Sequence, residues 1–297
     1  MKPAALRYSR PESVAAALGT LADLGPEGKV LAGGQSLVPL MSMRLAAPGH
    51  LVDINRLAEL SYVRATDGLV RAGALARHAD VLASAAAAAQ PLLAKALRCV
   101  AHPAIRNRGT TVGSIVHADP AAEMPAVLAL LGGAVRVTSV AGGRLVPADE
   151  FFLGPLESDV RPGELATEVQ FPVLPAAAGT GFAELSRRRG DYAVCGVAAI
   201  AWLGPDGTVA GARAAYLSVG PVPLVLDLTA AVAGIPAGAD DADDFPGVAD
   251  LVRAQVDPEP DIHATAEYRR QLAGVLTVRA LCGAVAEARQ RTSGAGA

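Results

Sequence analysis

The chain has 297 residues and a formal charge of −3, from 26 Lys and Arg against 29 Asp and Glu; that charge is too small and of the wrong sign for charge-driven binding to a phosphate backbone, which excludes nucleic acid as the expected partner. Hydrophobic residues make up 52% and charged residues 19%, which excludes a disordered segment and predicts a large core. Aromatics are 4%, so that core is built from Ala, Val and Leu, and at roughly 100–200 residues per domain the length suggests two domains.

Near the start, Arg7, Ser9, Arg10 and Glu12 interrupt any apolar run, and no secretion signal is expected. Ser13 to Leu24 places Val14, Leu18 and Leu21 at helical spacing, and Lys29 to Ala32 reads as a short buried strand. After Gly33-Gly34-Gln35-Ser36, Leu37 to Leu45 suits a short helix with Pro39 in its first turn. His50 to Ile54 and Leu69 to Ala74 read as strands, and Arg77 to Ala89 as an alanine-rich helix.

Met124 to Leu131 is predicted helical, followed by a strand over Ala134 to Val140 that Ala141-Gly142-Gly143 turns into Arg144-Leu145-Val146. Two prolines and a small-residue run mark Phe171 to Gly179 as a linker, with a boundary near residue 176 and domains of 1–176 and 177–297. Beyond it, Val194 to Leu203 and Arg213 to Val219 read as strands, and Asp240-Asp241-Ala242-Asp243-Asp244 as a solvated acidic loop. The last helix runs from about Thr265 to Arg289, with Tyr268, Leu272, Val275 and Leu276 on the face expected to meet the core. Helices and strands mix without a strict βαβ rhythm, which favours an α+β fold.

Cys99, Cys195 and Cys282 lie far apart, unlike the close pairs of zinc or iron–sulfur sites, and read as buried thiols in a reducing compartment. The longest apolar stretches, 124–135 and 193–204, fall short of the ~20 residues that span a bilayer. No transmembrane segment is expected, and the location reads as cytoplasmic.

Two segments carry chemistry. In Ala32-Gly33-Gly34-Gln35-Ser36-Leu37 a strand feeds a small-residue turn and then a helix. Such a turn can direct backbone N–H groups at an anion without a lysine, or simply reverse the chain tightly. The spacing matches neither Gly-x-Gly-x-x-Gly nor a P-loop. Thr110-Thr111-Val112-Gly113-Ser114 again combines hydroxyls with glycine, and Asp119 and Glu123 follow, suited either to accepting bonds from sugar-like hydroxyls or to charging the start of a helix. Two phosphate-type loops together favour a dinucleotide. His117 has no partner at metal-ligand spacing and reads as a hydrogen-bonding histidine.

Several motifs in order resemble one family. They are Tyr8-Ser9-Arg10-Pro11-Glu12-Ser13, Ala32 to Leu37, Arg44-Leu45, Leu51 to Ile54, Ala101 to Thr110 and His117 to Glu123. Later in the chain come Arg187 to Ala193, Asp261 to Ala264 and Glu267 to Arg270. The chain is similar to the FAD-binding medium subunit of the molybdenum hydroxylases, as in aerobic carbon monoxide dehydrogenase and the xanthine dehydrogenase group.

The resemblance implies an FAD domain of the vanillyl-alcohol-oxidase (PCMH) type in two α+β lobes, followed by a smaller α+β C-terminal domain. It implies that Ala32, Gly33, Gly34, Gln35, Ser36 and Leu37, with Thr110, Thr111, Gly113 and Ser114, hold the FAD pyrophosphate. It places Asp119 and Glu123 on polar groups of the cofactor, Leu165 as an apolar contact to the flavin, and Tyr192, beside Asp191, against the isoalloxazine ring. Leu165 reads equally as a core leucine, and Tyr192 as a domain-interface aromatic.

The implied role is electron transfer: FAD takes electrons from molybdopterin and [2Fe-2S] centres on a large and a small partner subunit, in a dimer of heterotrimers, and passes them to an external acceptor. Two departures from the family pattern suggest an alternative. Val112 stands where a glycine is usual, which would be strained if that position needs a positive φ, and Glu184 lies where relatives often carry a basic residue. They motivate an assembly subunit with weak or absent FAD; a self-contained flavin oxidase of the same FAD fold is a separate alternative.

Overall fold

The computed structural model describes residues 2–238 and 242–294. The chain runs β1 (Arg7–Ser9), α1 (Val14–Leu24), β2 (Gly28–Leu31), α2 (Leu37–Ser42), β3 (His50–Asp53), β4 (Val63–Thr66) and β5 (Leu69–Gly73). There follow α3 (His78–Ala83), α4 (Pro91–Leu97), α5 (Pro103–Arg106), α6 (Thr111–His117) and α7 (Glu123–Leu131). Next are β6 (Ala134–Ser139), β7 (Gly142–Pro147), α8 (Ala148–Phe151), β8 (Phe152–Gly154), β9 (Glu157–Ser158) and β10 (Leu165–Pro172). The last elements are β11 (Ala178–Ser186), β12 (Ala193–Leu203), β13 (Val209–Leu217), β14 (Leu224–Asp227), α9 (Thr229–Val232), α10 (Val248–Gln255) and α11 (Ala266–Gly294).

The elements sort into two compact units. The first comprises the chain up to Ala89, His102–Ala118 and Gly133–Phe171, and the second Gln90–Ala101, Asp119–Gly132 and the chain from Pro172 onward. In the first unit β1 and β2 flank β3 in a parallel three-stranded sheet. A five-stranded sheet of order β4-β5-β10-β6-β7 forms the other lobe. Helix α1 is set by its sequence: Ser13 caps it by accepting from Ala16 N, Ala17, Leu18 and Leu21 are buried, and Gly25 ends it at φ +54°.

The predicted helix over Arg77 to Ala89 is shorter. It ends at Ala83, and a 3₁₀ turn occupies Ala87–Ala89. Ser84 takes an extended ψ of 130° and its hydroxyl accepts from Ala86 N, so a local serine turn outcompetes the helical propensity of the alanines.

The second unit is built on the antiparallel sheet β11-β12-β13-β14, one face of which α11 covers with an interior of Cys195, Val197, Ala199, Ala214, Tyr216, Leu281 and Val285. The expected core face of α11 is corrected in part: Leu276 is buried and Leu272 packs against the core, but Tyr268 and Val275 are exposed, and Ala273, Ala280, Ala284 and Ala288 complete the buried face. By length and composition α11 could cross a membrane, but its buried residues belong to this core. Lys95 and Glu287 form an ion pair that also caps the outer edge of β11 at Thr180, Glu287 accepting from Thr180 N and Lys95 donating to its carbonyl. Asp240 and Asp241 of the acidic stretch lie outside the described residues.

Candidate functional site

Strands β2 and β3 are parallel neighbours, so the segments leaving their carboxyl ends, Ala32 onward and Ile54-Asn55, emerge on one edge of the sheet, where α/β sheets bind ligands. Gly33 is buried, and a Cβ built on it would lie 2.5 Å from the Arg108 carbonyl oxygen and 2.8 Å from Gly109 Cα. That backbone-to-backbone approach brings the Ala32–Leu37 turn against the segment leading to Thr110, and glycine alone permits it. Gly34 takes φ +73° and turns the chain into α2, its carbonyl accepting from Val38 N. Gln35 Nε2 donates to the Gly33 carbonyl at 3.1 Å.

Among the described residues, no acceptor takes the backbone N–H groups of residues 33–37, and the Ser36 hydroxyl does not cap α2. A turn with unspent N–H donors and no room for a side chain fits the diphosphate of a dinucleotide.

The second motif forms the start of α6. Thr110 caps the helix by accepting from Gly113 N at 3.0 Å, and a Cβ on Gly113 would lie 2.6 Å from that hydroxyl oxygen. Thr111 is wholly buried: its N–H bonds to the Ala76 carbonyl, and its hydroxyl lies 3.2 Å from His78 Nδ1. Ser114 N bonds to the Thr110 carbonyl. The donors of Thr111, Gly113 and Ser114 backbone are therefore spent on the fold, leaving the Val112 N–H and the Ser114 hydroxyl to offer a ligand. Val112 itself sits inside α6 with its side chain buried, so the strain premised on a positive φ does not arise. Burial and the charge of Arg106 push the His78 imidazole down to about 4, which keeps it neutral beneath this loop.

A polar network that sequence reasoning missed supports the turn. Asn55 Nδ2 donates to the Ala32 carbonyl at 2.8 Å, and Arg77 donates to Asn55 Oδ1 and to the Arg108 carbonyl, each at 2.6 Å. Asn55 follows β3 by two residues, and only the pairing of β3 with β2 gives that position its meaning.

In the second unit, Asp119 accepts from Ala121 N at 2.9 Å and shapes the turn before α7, while Glu123 is a buried residue of that helix's first turn. Pro120 accepts from Ser218 N, and the Ser218 hydroxyl donates to the Ala193 carbonyl, which ties this turn to the start of β12 beside Tyr192. Tyr192 is 68% exposed; partial desolvation and the carboxylates of Asp119, Asp191 and Glu123 raise its hydroxyl above the usual value. Asp191 accepts from Tyr192 N and pairs with Arg187. Glu184 has a buried Oε2 with no hydrogen-bond partner, and burial pushes its carboxyl up to about 7. Leu165, back in the first unit, is buried at the start of β10. Among the described residues, no group of three or more His, Cys, Asp and Glu could hold a metal ion.

Residues 4–174 match the family model described as the FAD binding domain in molybdopterin dehydrogenase. Residues 180–284 match the CO dehydrogenase flavoprotein C-terminal domain. The chain is 40% identical to the 6-hydroxypseudooxynicotine dehydrogenase complex subunit alpha of Paenarthrobacter nicotinovorans, with 97% of each chain covered. It is 34% identical to the carbon monoxide dehydrogenase medium chain of Afipia carboxidovorans, covering 97% of this chain and 100% of that one. Among solved structures it superimposes on a chain of reconstituted CO dehydrogenase from Oligotropha carboxidovorans with a TM-score of 0.89 at 33% identity, covering 97% of this chain and 100% of the other.

Proposed function

The chain belongs to the family of FAD-binding medium subunits of molybdopterin dehydrogenases, and from that footing we propose that it is the electron-transfer subunit of a molybdenum hydroxylase complex. In this reading it works with a large molybdopterin subunit and a small [2Fe-2S] subunit, as a dimer of heterotrimers in the cytoplasm, and serves an external electron acceptor. The observation that carries the proposal is the Ala32–Leu37 turn, whose backbone approaches its neighbour too closely for any side chain at Gly33 and whose N–H groups are unspent.

Those N–H groups, with Ser36 and Gln35, hold the pyrophosphate by neutral donors, consistent with a chain of −3 charge that offers no lysine there. Thr110, Thr111 and Gly113 give the adjoining wall its shape, and the Ser114 hydroxyl faces the ligand. Asp119 and Glu123 accept hydrogen bonds from cofactor hydroxyls or ring N–H groups, Leu165 supplies an apolar contact, and Tyr192 lays its ring against the isoalloxazine. Bound FAD supplies a carrier that takes up and releases electrons singly or in pairs. The protein's part is to hold that carrier and exclude water from it, while the metal centres sit on the partners.

The test is purification of the native complex: a flavin absorbance spectrum, FAD released on denaturation and two co-purifying subunits carrying molybdopterin and iron–sulfur centres are expected. A complex with no flavin overturns the proposal. The helical placement of Val112 removes the strain argument for an assembly subunit, leaving Glu184 as its remaining motive.

A further inference from the structure

The Ala32 carbonyl is held from outside the turn. Asn55 Nδ2 reaches the Ala32 carbonyl at 2.8 Å and Asp53 Oδ1 at 2.6 Å, while Asn55 N also donates to Asp53 Oδ1 at 2.9 Å. Tyr8 hydroxyl donates to the other carboxylate oxygen of Asp53. On its opposite side Asn55 Oδ1 accepts from Arg77. This arrangement admits one orientation of the amide, because a flip would set Oδ1 against a carbonyl and a carboxylate and Nδ2 against a guanidinium.

Arg77 completes the link. Its other terminal nitrogen donates at 2.6 Å to the Arg108 carbonyl, the same oxygen that lies against Gly33. Its backbone forms a bridge with Thr110. Both guanidinium partners are neutral and, among the described residues, no carboxylate forms a direct ion pair with it, while the charges of Arg108, Asp80 and Asp53 act on it from farther away. A half-buried positive charge therefore stands one carbonyl away from the turn.

We propose that Asn55 and Arg77 are positioning residues for the cofactor's diphosphate: Asn55 fixes the Ala32 carbonyl, and Arg77 locks the two loops together while placing a positive charge beside the turn. In a trans peptide the carbonyl and the following N–H point in opposite directions. Holding the Ala32 carbonyl toward Asn55 thus aims the Gly33 N–H away from it, to the side left for the anion. Gln35 does the same for the next peptide through the Gly33 carbonyl. The inference rests on the FAD reading above and adds the device that preorganises the site, so that donors need no reordering when the cofactor arrives.

The experiment measures the FAD dissociation constant of the full chain by quenching of flavin fluorescence across a range of salt concentrations, beside the Tm of the FAD-free protein. Asn55→Ala is expected to weaken FAD binding about tenfold without changing its salt dependence, since a neutral hydrogen bond is lost. Arg77→Gln is expected to weaken it about tenfold or more and to flatten the salt dependence, and Arg77→Lys to restore the salt dependence while recovering only part of the affinity. Variants that bind FAD as the parent does, or whose loss of affinity merely tracks a loss of Tm, overturn the proposal. A parent chain that binds no FAD overturns the cofactor reading itself, and this inference with it.

Discussion

A single methyl group separates Gly33 from alanine, and the geometry leaves nowhere for it. The carbon would lie 2.5 Å from a backbone carbonyl oxygen, which no side-chain rotation relieves, so the Ala32 turn and the Arg108 segment must part. Gly33→Ala is expected to destabilise the protein by roughly 1–3 kcal/mol and to weaken FAD binding by more than either clamp variant, because both walls of the cradle move. Thermal unfolding with and without FAD checks this: an unchanged Tm and an unchanged FAD-induced shift would contradict it. The glycines were legible in the sequence because a turn advertises itself locally. Asn55 and Arg77 were not, since their meaning depends on strands β2 and β3 lying side by side and on a chain reversal that brings residue 77 to residue 108. Nor could composition tell that the Thr111 hydroxyl would turn inward to His78.

At the scale of elements, α11 explains why so alanine-rich a chain can build a firm core. A Cβ on Gly181 would overlap the Ala280 carbonyl, and one on Gly179 the backbone of Ala284 and Ala288, so the helix lies on β11 with almost no side chain between them. Close approach requires small residues on both surfaces, which is why the helix residues lying against Gly179 and Gly181 are Ala280, Ala284 and Ala288. Of the four residues expected on the core face, Leu276 is buried and Leu272 packs against the core, while Tyr268 and Val275 fall outside it; α1, with leucines inside and an ordinary serine cap, was read correctly from period alone. Gly181→Val is expected to cost more than about 3 kcal/mol, because the clash is with helix backbone. Gly283 is the control: a Cβ there meets only Gly181 Cα at 3.9 Å, and Gly283→Ala should gain up to about 1 kcal/mol of helix propensity. Urea unfolding of the two variants separates them, and equal midpoints would refute the account.

Across the whole molecule, acid acts on the two units in opposite directions. His78, in the first unit, is held near 4 against an ordinary 6.5, so between those values the unfolded chain binds a proton that the folded one refuses. Stability linked to His78 is therefore complete above about pH 6.5 and lost as pH falls toward 4, a span worth about 3.5 kcal/mol at 1.4 kcal/mol per unit. Glu184, in the second unit, is raised to about 7 from 4.5; there the folded chain keeps a proton that the unfolded one releases. Its contribution is complete below about pH 4.5 and lost as pH rises to 7, with a smaller magnitude because the residue is partly exposed. From about pH 4.5 to 6.5 the two slopes oppose, and they partly cancel. His78→Gln should remove the limb that rises with pH and leave stability falling across this interval, whereas Glu184→Gln should remove the falling limb and steepen the rise. Urea midpoints at pH 5, 6 and 7 read both. Slopes in the two variants that stay parallel to the parent's would refute the neutral imidazole beneath the cofactor loop and the protonated carboxyl on β11 alike.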